Sequence, residues 1–390
     1  MDKKRILFVC QRYGLDVNGG AETECREYAE RLTPFFRVEA LTSCARDYVT
    51  WANYYPPGEE TINGVLVRRF PALRMRGDKR FGRSAGGWKS ESADDPGRRW
   101  LEDQGPYVPE LIDYLVQHGS EYACVLFMTY LYYPTAIGIT ACSCPKKVMI
   151  PTAHDEDPIY HEVFDRSFAA ADKFVYNSEA EKRFVKRRFP FAAPRPSITI
   201  GSGVEPVEQS GLPDARERFG LNGPYLLYSG RIDTQKGCDV LFRYFAAYKE
   251  RHPGDLSLVL TGREVIEVPQ RSDIRSLGFV SEEDKFAVMR DARCFVLPSG
   301  FESLSIVTLE SMMMGRPVLV NGKCEVLVDH CRLSNAGLYY RNYYEFEACV
   351  EYLLADSPVY EAMRENGRRY VAQYYNWDGI IEKLRRLIEE

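Results

Sequence analysis

The chain reads as an α/β protein made of two alternating β/α domains, and three observations carry that reading. Short apolar runs recur along the 390 residues, each broken by glycine or proline and followed by a helical pattern. Runs that are apolar throughout fit strands of parallel sheets, which are buried on both faces. The rhythm pauses at residues 206–222, a surface-like connection, and then restarts, so the boundary falls at GSGVEP, near residues 203–206. Chains of this length suit two domains, each large enough to bury its own core.

Taken in order, residues 5–10 form a strand, a loop carries Gly14, Gly19 and Gly20, and 21–32 form a helix with Ala21, Cys25, Tyr28, Ala29 and Leu32 on one stripe. Strand, glycine loop and helix N-terminus make an arrangement suited to an anion, although the loop is not GxGxxG and, from these residues alone, a plain βα turn is the slightly better reading. Residues 38–42 and 65–70 are further strands. Residues 73–109 are rich in Arg, Gly, Ser and Asp, with few apolar residues before Trp100, and read as a long loop. A helix at 110–117, a strand at 122–128, a helix at 135–141 and a strand at 147–150 lead to PTAHDEDPIY. A strand at 171–177, a basic helix at 179–188 and a strand at 197–200 complete the first half. The second half has strands at 225–229, 256–261, 274–279, 294–297, 318–320 and 337–339. Its helices fall at 238–251, 282–291, 304–314, 344–355 and 358–374. Asn376, Trp377 and Asp378 interrupt the pattern before an amphipathic helix at 380–388.

Composition bounds the function. Hydrophobic residues make up 45% and charged residues 27%, a globular profile. A formal net charge of −5 leaves no footprint for nucleic acid. The apolar run after MDKKR is too short for a signal peptide, and no stretch approaches the roughly 20 apolar residues of a membrane span. The expectation is a cytoplasmic protein, or one peripheral at the inner face of a membrane. Eleven cysteines, an odd number at irregular spacing with CxC at Cys142 and Cys144, suggest neither a disulfide framework nor a zinc site. Cys10, Cys124 and Cys294 read as buried small hydrophobes.

Four features bear chemistry. Glu302 and Glu310 stand eight positions apart in PSGFESLSIVTLESMMMGRPVLV, a strand–loop–helix–strand unit. On a continuous helix eight positions span about 12 Å, of the order of the distance from a ribose to a sugar across a diphosphate. Carboxylates accept hydrogen bonds from vicinal hydroxyls, and the N–H groups near Leu304 and Ser305 would favour a phosphate between them. Arg231 and Lys236 share the short loop GRIDTQKG, where two cations can clamp a diphosphate. His154 lies at a strand end in AHDED, and Gly19 and Gly20 allow close approach to a phosphate. Each alone has a plainer reading: two surface glutamates on a solvated helix, a basic surface loop, a structural histidine, a turn. Metal binding by His154 with Asp155 and Asp157 is disfavoured because the ligands are contiguous.

In order, GRIDTQKG, then E-x7-E, then GRPVLV resemble glycosyltransferase family 4, and NGGAE, AHDED and GSGVEP match as well. The resemblance covers most of the chain. It implies the GT-B fold: two Rossmann-like domains facing across a cleft, residues 1–204 on the acceptor side and 205–375 binding the nucleotide sugar, with the C-terminal helix of 376–390 crossing back to the N-terminal domain. It implies a retaining glycosyltransferase, dependent on a nucleoside-diphosphate sugar and needing no metal. By that resemblance Glu302 binds donor-sugar hydroxyls, Glu310 the ribose, and Arg231 and Lys236 the diphosphate. Gly20, beside Gly19, supplies backbone to the phosphate or sugar, His154 faces the donor sugar, and Phe279 and Val280 border the base, with Arg263 nearby. The family usually has glycines after the first glutamate; here Ser303 and Ser305 stand there, flanking Leu304, and narrow the pocket. The acceptor is a hydroxyl compound of unspecified kind, and the basic stretches at 74–99 and 182–188 suit an anionic acceptor or a membrane surface. A sugar-nucleotide epimerase of the same fold and a non-catalytic sugar-nucleotide-binding protein are the rival readings.

Overall fold

A computed structural model describes residues 3–17, 19–77 and 96–390. The chain divides into two compact units, Met1–Gly201 with Ile380–Glu390, and Ser202–Gly379. The first contains β1 (Arg5–Val9), α1 (Gly20–Leu32), β2 (Arg37–Ser43), β3 (Gly58–Ile62), β4 (Val65–Phe70), α2 (Pro96–Gln104), α3 (Pro109–His118), β5 (Cys124–Met128), α4 (Tyr133–Ala141), β6 (Lys147–Ile150), α5 (Glu162–Ala169), β7 (Lys173–Tyr176), α6 (Glu179–Arg188) and β8 (Ser197–Thr199). Its sheet runs β3-β4-β2-β1-β5-β6-β7-β8. All pairs are parallel except the edge pair β3–β4. Strand β5, and β1 beyond its partly exposed Arg5, are apolar and buried, which is what covering both faces of a parallel sheet requires.

The second unit contains α7 (Ala215–Phe219), β9 (Tyr225–Ser229), α8 (Cys238–Arg251), β10 (Ser257–Thr261), β11 (Ile274–Ser276), α9 (Glu282–Asp291), β12 (Cys294–Leu297), α10 (Ile306–Met313), β13 (Val318–Asn321), α11 (Glu325–Ser334), β14 (Gly337–Tyr340), α12 (Tyr343–Leu354) and α13 (Pro358–Tyr374). Its sheet, β11-β10-β9-β12-β13-β14, is parallel throughout. Helix α14 (Trp377–Glu389) carries the chain back, and from Ile380 onward it belongs to the first unit.

Both sheets reverse direction at their first strand. From β1 the order proceeds through β2 to one side, and β5 lies on the other; from β9 it proceeds through β10, and β12 lies on the other. Such switch points open a crevice at the carboxyl ends of the strands, where ligands bind in this class of sheet.

Several elements depart from the sequence-derived ones. The loop expected over residues 73–109 contains α2, whose buried apolar residues Trp100 and Leu101 are adjacent and so produce no helical period. Residues 78–95, most of the basic stretch expected over 74–99, lie outside the described residues. Strand β3 has no apolar alternation because it is an exposed edge; Asn63–Gly64, both at positive φ, is the hairpin signal that locates it. Helix α11 buries Val326, Leu327, Val328, His330 and Cys331, too wide a face to read as a stripe. Helix α7 is little more than one turn, capped by the Asp214 side chain and closed by left-handed Gly220. Helix α5 is short and its stripe stands between loops. Trp377 and Asp378 open α14 rather than interrupting the pattern.

Candidate functional site

In the second unit the predicted residues gather on the loops that follow β9, β10, β11 and β12, at the carboxyl edge of the sheet. Arg231 and Lys236 follow β9, and Glu302 follows β12, so they flank the switch point. Lys236 Nζ lies 2.7 Å from Glu302 Oε1. The two loops touch: Gly237 has φ 77°, and a side chain there would place its Cβ 2.7 Å from the Pro298 carbonyl oxygen. Only glycine combines that conformation with that approach, which accounts for the glycine closing GRIDTQKG.

The conformation of this loop depends on Asp233, a residue without a role in the sequence reading. It is buried, its Oδ1 accepts the Lys236 N–H at 2.7 Å, and its Oδ2 accepts from Arg231 Nε. Arg231 also reaches Gln235 at 3.1 Å. An aspartate that bonds the N–H three residues on is a turn signal, and it orients both cations.

Glu310 is on α10, and Lys285 of α9 donates to its Oε1 at 3.0 Å and to Glu282 at 2.8 Å. Burial raises the Glu310 pKa against the pull of Lys285. Burial also works against the Lys285 ammonium, but Glu310 and Glu282 outweigh it and raise its pKa. Lys285 comes from a different helix, so no spacing in the sequence connects it to Glu310.

Glu302 lies in a loop and α10 begins only at Ile306, so the helical-rise estimate does not describe the separation of the two glutamates. The helix expected from 304 starts two residues later because Ser305 is left-handed, with φ 68°. Its hydroxyl pairs with Thr308 Oγ1 at 2.8 Å. Leu304 is buried, whereas Phe279 is 80% exposed. Val280 and Ser303 are partly exposed, and Arg263 is exposed, its carbonyl accepting the Ile232 N–H.

The first unit presents a second set at the same end of its own sheet. Gly19 and Gly20 follow β1, with Gly20 opening α1. Beneath Gly19 the Glu22 carboxylate accepts from Arg12 Nε at 2.9 Å and from Gln11 at 2.8 Å. His154 follows β6; its Nε2 lies 3.4 Å from Glu156 Oε2, and Tyr130 donates to the other Glu156 oxygen at 2.7 Å. Asp155 accepts from Tyr160 at 2.7 Å. Glu181 fixes the backbone next to His154 by accepting the Ala153 and Asn177 N–H groups, each at 2.6 Å. Among the described residues no group of three or more His, Cys, Asp or Glu could hold a metal ion. No helix among them is long and apolar enough to cross a membrane, and the eleven cysteines are free thiols.

Three non-glycine residues with positive φ, Thr129, Thr152 and Ser305, sit on loops after β5, β6 and β12. Each such conformation costs about 1–2 kcal/mol for an L-residue. Strain of this kind concentrates where a backbone is held for a ligand.

Residues 223–356 match the family model described as Glycosyl transferases group 1. Among curated relatives, the alpha-D-kanosaminyltransferase of Streptomyces kanamyceticus is 31% identical over 196 residues, covering 45% of this chain and 48% of that protein. An uncharacterised glycosyltransferase of Methanocaldococcus jannaschii is 29% identical over 167 residues, covering 40% and 43%. The chain thus spans less than half the length of either relative. Among solved structures, sucrose-phosphate synthase from Thermosynechococcus elongatus superposes with a TM-score of 0.72 at 18% identity, covering 99% of this chain and 98% of that one. Anabaena HepE in complex with UDP and glucose superposes with a TM-score of 0.72 at 15% identity, covering 99% of both. Residues 223–356 are a group 1 glycosyltransferase domain, carried in a chain whose two parallel-sheet units have the GT-B fold.

Proposed function

We propose that the protein is a retaining glycosyltransferase of family 4 type, moving a hexose from a nucleoside-diphosphate sugar to a hydroxyl acceptor without a divalent metal. The observation that carries this reading is the Lys236–Glu302 pair at the β9–β12 switch point, with Arg231 on the same loop. A diphosphate satisfies both cations and releases Glu302 to accept sugar hydroxyls, while Glu310 accepts from the ribose. The bond from the anomeric carbon to the diphosphate breaks as the bond to the acceptor oxygen forms on the same face. The acceptor's proton passes to the leaving phosphate oxygen. Arg231 and Lys236 stabilise the charge that develops there, which is the role a metal has elsewhere.

His154 and Gly20 face the sugar and phosphate in this reading, and the first unit binds the acceptor. A glycan, a lipid-linked saccharide or a small molecule would serve; the basic helix α6 offers peripheral contact with a membrane that presents a lipid-linked one. The Anabaena structures contain UDP, UDP-glucose, or UDP with glucose, which makes UDP-sugars the first donors to try.

A thermal-shift panel of nucleoside diphosphates and their sugars identifies the donor, because a ligand that binds only the native state raises its melting temperature. With that donor, Lys236→Ala and Glu302→Ala are each expected to lower transfer at least about 100-fold, the scale of losing one charge-stabilising group, with the fold intact. Normal turnover in either variant overturns the reading. So does an epimerised sugar nucleotide formed without acceptor.

A further inference from the structure

His330 is completely enclosed in the second unit, 1% exposed, on α11. Its Nε2 lies 2.8 Å from the Leu304 carbonyl oxygen, and its Nδ1 lies 3.1 Å from the Tyr370 hydroxyl. The chemistry of the partners fixes the direction of both bonds. A carbonyl can only accept, so Nε2 carries the proton; Nδ1 of the neutral ring must then accept from Tyr370. Burial lowers the His330 pKa and keeps the ring neutral. The Tyr370 hydroxyl is in turn 3.3 Å from that of Tyr375. The Tyr370 and Tyr375 rings meet the imidazole edge-on, with centroids 6.0 and 5.9 Å away.

The relay has a definite start and finish. It starts at Leu304, whose carbonyl immediately precedes the left-handed Ser305. It finishes at Tyr375, whose own carbonyl accepts the Val204 N–H at 2.8 Å. Residues 202–204 and 375–379 are the segments through which the chain enters and leaves this unit. They also meet at Gly203, whose α-carbon lies flush against the Trp377 indole and leaves no room for a side chain.

We infer that His330 is a positioning residue for the donor loop, holding the Leu304 carbonyl so that Ser305 stays left-handed and the N–H groups opening α10 stay aimed at the ligand. Through Tyr370 and Tyr375 it ties that loop to the two connecting segments. The inference rests on the proposed use of residues 302–305 for the nucleotide sugar and adds the group that shapes them. Without the imidazole, the Leu304 carbonyl is buried with no donor and the loop relaxes to satisfy it.

The test compares full-length wild type with His330→Leu, His330→Gln and Tyr370→Phe by calorimetric titration of UDP, or of whichever nucleoside diphosphate stabilises the wild type most. Melting temperatures are measured alongside. His330→Leu is expected to weaken binding by roughly tenfold or more, as the loss of a buried hydrogen bond implies. The Gln amide keeps a donor for Leu304 and is expected to recover most of that loss. Tyr370→Phe leaves the Leu304 bond in place but removes the hydroxyl that holds the other side of the ring, and is expected to fall between. A purely structural histidine would lower the melting temperature and leave the affinity of the folded protein unchanged. Affinity of His330→Leu within twofold of wild type therefore overturns the inference. If His330→Leu does not fold, equal affinities in Tyr370→Phe and wild type overturn it instead. Failure of the wild type to bind any nucleoside diphosphate overturns the donor-site reading, a separate outcome.

Discussion

Lys285 shows how a single side chain can set the working range of another. In the proposed reading Glu310 accepts ribose hydroxyls, which it does best when ionised, and burial opposes its ionisation. Lys285, itself largely enclosed, supplies the compensating charge at 3.0 Å. In Lys285→Met the Glu310 pKa rises further. Donor affinity is then expected to drop by about tenfold, the scale of a charge-assisted hydrogen bond, and to drop more at pH 6 than at pH 8. Titration of the nucleoside diphosphate at the two pH values checks this. An equal loss at both would mean that Lys285 acts by packing and not through the ionisation of Glu310.

At the scale of elements, α1 and α6 enclose two carboxyl groups. Glu24 contacts the Tyr28 hydroxyl at 3.0 Å and Asn177 Nδ2 at 3.0 Å, and the same hydroxyl lies 2.5 Å from the Gly201 carbonyl. One hydroxyl proton cannot serve both oxygens; a protonated Glu24 donating to Tyr28 satisfies both. Burial, opposed by the bonds from Tyr28 and Asn177, raises Glu24 to about 7. Burial raises Glu181 to about 8 against the Asn177 and Ala153 N–H bonds, with the charge of Glu24 adding to the rise. Both folded values lie above the ordinary carboxylate value of 4.5, so between them the folded chain binds more protons than the unfolded one. The stabilisation is complete below pH 4.5 and is lost as pH rises through 7 and 8. The slope is at most about 1.4 kcal/mol per pH unit for each group. Glu24→Gln, whose amide can donate to Tyr28 and accept from Asn177, is expected to decline less steeply between pH 5 and 8 in urea melts. An unchanged slope would place the proton elsewhere. These carboxylates also mark where sequence reading stops. Glu302, Glu310, Arg231 and Lys236 were legible because each motif is contiguous and lies at the end of an apolar strand. Asp233, Lys285, Glu181 and His330 were not, apart from the turn spacing of Asp233, because their partners arrive from other elements.

Across the whole molecule the alternation of strand and helix was legible because parallel strands are apolar on both faces. Polar edges and short capped turns, such as β3 and α7, were not, because they bury too little to leave a pattern. The final helix combines both kinds of signal. Its stripe of Ile380, Ile381, Leu384, Leu387 and Ile388 is buried. Two lysines of the first unit close its C-terminus: Lys146 donates to the Ile388 carbonyl and Lys173 to the Leu387 carbonyl, each at 2.9 Å. Arg385 lies over the Phe35 ring of the same unit. From Ile380 onward the helix therefore packs as part of the first unit. Leu384→Ala removes a fully buried side chain and is expected to cost about 2–5 kcal/mol. Hydrogen exchange should accelerate around β6 and β7, because Lys146, just before β6, and Lys173 of β7 hold the helix end. Protection of the loops after β9 and β12 by a bound nucleoside diphosphate should persist, because those loops draw their order from Asp233 and His330 in the second unit. Loss of that protection in Leu384→Ala would show that the nucleotide loops depend on the packing of the last helix, and their assignment to a self-contained second unit would fall.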